Sequence, residues 1–107
     1  MTKKFVFFIC LLATVIIACT DDPIMTGEEV SYAGDIRPLI DTKCSNQACH
    51  GPGSTVFELT TYTQVQLKAS QIREQVWEFQ TMPQTGSMTQ EQRALFRDWV
   101  DAGAPNN

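Results

Sequence analysis

The sequence predicts one small all-α domain, and three segments with apolar residues at helical spacing predict it. The clearest is the last. Thr89-x-x-Gln92 has the form of a capping box, Leu95, Phe96, Trp99, Val100 and Ala102 share one face, and Gly103 with Pro105 stops the helix. Upstream, residues 70–79 carry Ile72, Val76 and Phe79, an i, i+4, i+7 stripe. Residues 32–43 bring Ile36, Leu39 and Ile40 together on a third face.

The N-terminus comes first in chain order. Lys3 and Lys4 precede Phe5 to Ala18, a 14-residue stretch without a charge and too short to span a bilayer comfortably. That is the form of a secretion signal. Its end, Ile16-Ile17-Ala18-Cys19, resembles the lipobox of bacterial lipoproteins. The resemblance implies that residues 1–18 are a lipoprotein signal peptide, discarded with Cys10, and that Cys19 is lipidated as the mature N-terminus. Two or more acyl chains anchor a domain stably to a bilayer, so the expected location is the bacterial cell envelope, on its periplasmic or surface side. Asp21-Asp22 resembles signals that send some lipoproteins to the cell surface. In the competing reading the signal is cut elsewhere and Cys19 is an ordinary residue.

Residues 19–30, with Pro23, Gly27 and four acids but no apolar period, read as a flexible tether. The domain proper is expected over 31–107. In its first helix Pro38 has no N–H to donate and must fall in an opening turn, which predicts a start near Gly34 or Asp35. A loop rich in Ser, Asn, Gly and Pro covers residues 44–55. Thr60 or Thr61 then caps a short helix through Leu67, and residues 81–87 form a second loop.

Composition excludes several functions. From residue 19 onward six Lys and Arg stand against twelve Asp and Glu, a net charge of −6, with no basic stripe, so nucleic-acid binding is disfavoured. The six glycines never take a phosphate-loop spacing. Only 32 of those 89 residues are apolar, and a domain this small commonly needs a disulfide, metal or cofactor to complete its core.

The candidate is Cys44-Ser-Asn-Gln-Ala-Cys49-His50, which contains the single histidine of the chain. A His directly after a Cys is the arrangement of covalent haem attachment: two thiols add across the vinyl groups, and the next imidazole lies under the iron. The usual spacing is C-x-x-C-H. Four residues separate the cysteines here, so the intervening loop must bulge outward. Three other readings stand beside this one. A Cys44–Cys49 disulfide suits an oxidising compartment but closes too short a loop for much entropic gain. Structural zinc needs a fourth ligand after Cys44, Cys49 and His50, for which an acidic residue is possible but unforced. A redox dithiol would prefer C-x-x-C in a βαβ setting.

Residues 31–105 resemble the small monohaem c-type cytochromes. SYAGDIRPLIDTKC is similar to the family's helix that leads into the haem cysteines, and TMPQTGSMTQEQRALFRDWVDAGAPNN to its axial-methionine loop and C-terminal helix; C-x4-C-H is a variant known from some multihaem cytochromes. The resemblance implies three to four helices wrapped around one haem c, bound covalently by Cys44 and Cys49, with His50 proximal and Met82 distal. It further implies that Gly34 marks where the N- and C-terminal helices cross at the Phe96/Trp99 face. Trp77 and Trp99 are read as core packing, and Met88, next to the Thr89 cap, as a staple on the last helix. Lys43 and Lys68 are the few cations expected near the haem edge. The expected function is one-electron transfer with redox partner proteins of the envelope and no catalytic residues. The alternatives are a haem-based sensor or ligand-binding module, and a disulfide-stabilised lipoprotein without haem.

Overall fold

The computed structural model describes residues 29–107; the signal segment, Cys19 and most of the tether lie outside the described residues. Four α-helices, α1 (Arg37–Lys43), α2 (Tyr62–Leu67), α3 (Ala69–Arg73) and α4 (Gln90–Asp101), combine with π-helical segments at Tyr32–Ile36 and Glu74–Glu78, and no strand occurs among the described residues. The all-α expectation holds. None of these helices is long and apolar enough to cross a membrane.

The first helix begins earlier than Pro38 suggested. Ser31 caps it: its Oγ accepts the Gly34 N–H at 3.0 Å, and its own N–H donates to the Asp35 carboxylate at 2.8 Å. The opening turn bonds five residues back, from the Ile36 N–H to the Ser31 carbonyl at 3.2 Å and from the Arg37 N–H to Tyr32. Pro38 therefore sits in the first turn of α1, where bonding changes from the wide to the α pattern. The start moves from Gly34 or Asp35 to Tyr32.

Thr61 caps α2 with a complete capping box to Gln64, and Thr89 does the same for α4 with Gln92. At the end of α4, Gly103 takes a φ of +94°, a conformation that only glycine adopts without strain. Phe96 and Trp99 are fully buried, and Leu95 and Val100 half-buried. Ala102 is exposed, because it lies beyond the last helical turn. From α3 into the π-helical segment, Ala69, Ile72 and Val76 are buried but Phe79 is 62% exposed. The expected stripe assumed regular α-turns; the wider turn at Glu74–Glu78 rotates Phe79 off that face.

These elements share one core. Tyr32, Ile36 and Ile40 meet Val65, Ile72, Val76, Phe96 and Trp99, and Met88 is buried with them. The first helix meets α4 through aromatic rings, Tyr32 to Trp99 at 5.6 Å between centroids, rather than through Gly34. Gly34 is exposed, and a Cβ built on it would meet only Ser31 within 4 Å. Trp77 is likewise not a core residue: it is half-buried, with the Arg97 guanidinium 4.2 Å from its ring centroid. The two ends of the domain are joined, because the Asn107 side chain accepts the Tyr32 N–H at 2.7 Å and its carbonyl the Ala33 N–H at 2.9 Å.

Candidate functional site

The residues between α1 and α2 form a tight, self-bonded loop. Cys44 closes α1 with its N–H on the Ile40 carbonyl at 2.9 Å, and its own carbonyl accepts the His50 N–H at 3.0 Å. Between them the chain turns around the Asn46 carbonyl, which accepts N–H groups from Cys49 at 3.0 Å and from Gly51 at 2.9 Å. Asn46, Gln47 and Ala48 are exposed, while Ser45 is half-buried. Gly51 is buried against this turn; a Cβ there would lie 2.7 Å from the carbonyl oxygens of both Ser45 and Asn46. The loop is held to the chain ahead of α2 by Leu59, whose N–H donates to the His50 carbonyl at 2.8 Å, and by Ser45 Oγ, which donates to the Leu59 carbonyl at 2.6 Å.

Cys44, Cys49 and His50 face a cavity of about 770 Å³. Ile72, Gln75 and Val76 form a second wall, and Met82 with Pro83 a third. All four side chains expected to hold the haem thus border one space. Met88 does not; it is buried in the core, in keeping with a packing role. Lys43 lies on the cavity rim, whereas Lys68 reaches it only by way of Phe57.

Both cysteines are free thiols. Burial, with a smaller contribution from nearby Cys49, pushes the Cys44 thiol up to about 11, so it is neutral at ordinary pH. The His50 Nδ1 lies 2.8 Å from the Phe57 carbonyl, which can only accept, so Nδ1 carries a proton and the lone pair of the neutral ring falls on Nε2. Among metal-binding histidines, one ring nitrogen usually donates to a carbonyl in this way while the other ligates. The Phe57 ring also stacks on the imidazole, with 4.5 Å between centroids and 27° between planes.

Met82 is positioned through its backbone. The π-helical segment frees the Gln75 carbonyl, which accepts the Thr81 N–H at 2.9 Å and the Met82 N–H at 3.2 Å. From α4, Arg93 Nη1 donates to the Met82 carbonyl at 2.9 Å and to that of Val76 at 2.8 Å. The Met82–Pro83 peptide is cis. The thioether is half-buried and packs against the core cluster.

The arrangement fits a haem group by its donor set and by its space. Two thiols and an oriented imidazole stand on one loop, a thioether stands on another wall, and the cavity volume lies within the roughly 300–1,000 Å³ of small-molecule and cofactor sites. Among the described residues no three His, Cys, Asp or Glu side chains converge on a point that could hold a metal ion. Three contributors escaped the sequence reading: Phe57, Gln75 and Arg93. The first is an aromatic seven positions after the single histidine, a signal too weak to read; the others act through bonds to main-chain carbonyls, which no motif encodes. No family model, curated protein or solved structure matches the chain.

Proposed function

We propose that residues 31–107 are a monohaem c-type cytochrome domain with the helices wrapped around one haem c, and that it transfers single electrons at a membrane surface to which Cys19 anchors it. Cys44 and Cys49 would hold the haem through thioether bonds, and His50 and Met82 would ligate its iron. The observation that carries this reading is the shared wall: Cys44, Cys49, His50 and Met82, drawn from two separate loops, border one cofactor-sized cavity. A bound haem would supply the one-electron chemistry, its iron cycling between ferrous and ferric.

The chain's own part is to orient and to exclude water. The Phe57 carbonyl selects the His50 tautomer with the proton on Nδ1, which leaves Nε2 as the ligating nitrogen of the neutral ring. Gln75 and Arg93 hold the Met82 backbone from both sides, which keeps a long flexible side chain near one place. Val56, Leu59, Ile72 and Val76 line the space with apolar groups, and a medium of low polarity disfavours the extra charge of an oxidised centre. The partners would be redox proteins of the envelope, and the acidic balance of the chain argues against an acidic one.

The test is a pyridine haemochrome spectrum of the full chain expressed beside a haem-attachment system. A c-type spectrum supports the reading. A colourless protein with intact thiols or a Cys44–Cys49 disulfide overturns it in favour of a lipoprotein without haem. Carbon monoxide binding by the reduced protein at native pH would move the assignment to a haem-based sensor.

A further inference from the structure

Phe57 touches His50 twice, through its carbonyl and through its ring, and Lys68 touches Phe57 in turn. The Lys68 Nζ lies 4.7 Å from the Phe57 ring centroid, within the range of a cation–π contact. Phe57 is 41% exposed even so, and neighbouring Val56 is 54% exposed, so core packing does not account for an aromatic side chain kept at this place. What the ring does contact is the imidazole. A cation, an aromatic ring and the single histidine of the chain therefore follow one another from the surface to the cavity wall.

We propose that Phe57 and Lys68 are positioning residues for His50: the Phe57 carbonyl and ring set the tautomer and plane of the imidazole, and the Lys68 ammonium, held on that ring, raises the reduction potential of the group that His50 ligates. The second half rests on the haem reading above. Its sign follows from Coulomb's law. A fixed positive charge disfavours the state with one more positive charge, so the reduced state gains, and the effect weakens as salt screens the half-exposed ammonium.

The test uses the full chain as purified, with a haemochrome spectrum on every sample. The potential is expected to fall from wild type to Lys68→Gln and further to Lys68→Glu, to be kept by Lys68→Arg, which preserves both charge and ring contact, and to fall in Phe57→Leu. Haem content should stay level across the lysine series, and the differences should shrink at high ionic strength. Haem-loaded variants whose potentials do not follow charge overturn the electrostatic role. Nuclear Overhauser contacts from Lys68 Hε to the Phe57 ring, and from that ring to His50, test the positioning itself with or without haem. They are expected in wild type and lost in Phe57→Leu; their absence from wild type overturns it. A negative haemochrome spectrum removes the proposed function and the claim about potential, and leaves the positioning to be judged by these contacts.

Discussion

Gly51→Ala places a methyl group where the loop that carries Cys44, Cys49 and His50 has no room. Its Cβ would stand 2.7 Å from the Ser45 and Asn46 carbonyl oxygens and 2.8 Å from the Asn46 carbonyl carbon. Heavy-atom contacts involving carbon are most favourable at roughly 3.5–4.0 Å, so backbone must move by close to 1 Å. The atoms that must move are backbone, with no flexible side chain to yield. Two of them belong to the Asn46 carbonyl, which accepts from Cys49 at 3.0 Å and from Gly51 at 2.9 Å, and the nearby bond from the His50 N–H to Cys44 is 3.0 Å long. At about 1 kcal/mol net for each hydrogen bond, losing two or three costs ~2–3 kcal/mol. For a domain this small that lowers the midpoint by on the order of 10–20 °C. Because Cys49 and His50 sit inside the displaced segment, the covalently loaded fraction should fall severalfold as well. Gly53→Ala is the control. That residue has a φ of +75° with nothing within 4 Å of a built Cβ, so it should cost about 1–2 kcal/mol of backbone strain and leave haem loading intact. Thermal unfolding by circular dichroism and the haem-to-protein ratio measure both effects. Wild-type stability and loading in Gly51→Ala would refute the reasoning that this turn has no room for a side chain and holds Cys49 and His50 in place.

The axial assignment predicts that Met82→Ala abolishes the iron–sulfur charge-transfer band of the oxidised protein, lowers its potential and admits carbon monoxide to the reduced form. Met88→Ala should cost only stability, because its side chain is buried in the core away from the cavity wall. In unloaded chain the Cys44 thiol, pushed up to about 11, should be alkylated slowly at pH 8. The rate should then climb about tenfold per pH unit until that region, since the thiolate is the nucleophile. The same shift has a sign for stability: the folded state holds this proton more tightly than the unfolded chain, so the contribution is complete below pH 9 and is lost as pH rises toward 11, which urea titrations at several pH values can follow. Finally, Cys19→Ser should yield no lipidated form, whereas Cys10→Ala should leave the mature chain unchanged in mass.

How much of this was legible in the sequence depended on whether a feature is written in side chains or in backbone. The α4 boundaries were legible because Thr89, Gln92 and Gly103 each have a local, steric or hydrogen-bonding reason to stand where they do. The cavity residues were legible because a lone histidine next to a cysteine and a Met-Pro pair are uncommon combinations. The π-helical turns were not, since nothing in YAGDI or EQVWE distinguishes them from ordinary helix, and they displaced two expectations. One moved the start of the first helix to Tyr32, and the other carried Phe79 to the surface. The Ser31 cap with Asp35 was present to be read but was outweighed by Pro38. The helix crossing at Gly34 came from family resemblance alone, and the observed contact uses Tyr32 and Trp99 instead.

The central claim is that Cys44 and Cys49 both carry one haem. Trypsin cuts after Lys43 and Lys68 and has no site between, so a single peptide holds both cysteines and His50. Mass spectrometry of that peptide from native envelope, after treatment with a thiol alkylating reagent, tests the claim directly. A peptide heavier by one haem, with neither cysteine alkylated, is the expected result. A peptide alkylated at both cysteines, or lighter by two hydrogens through a disulfide, would contradict it.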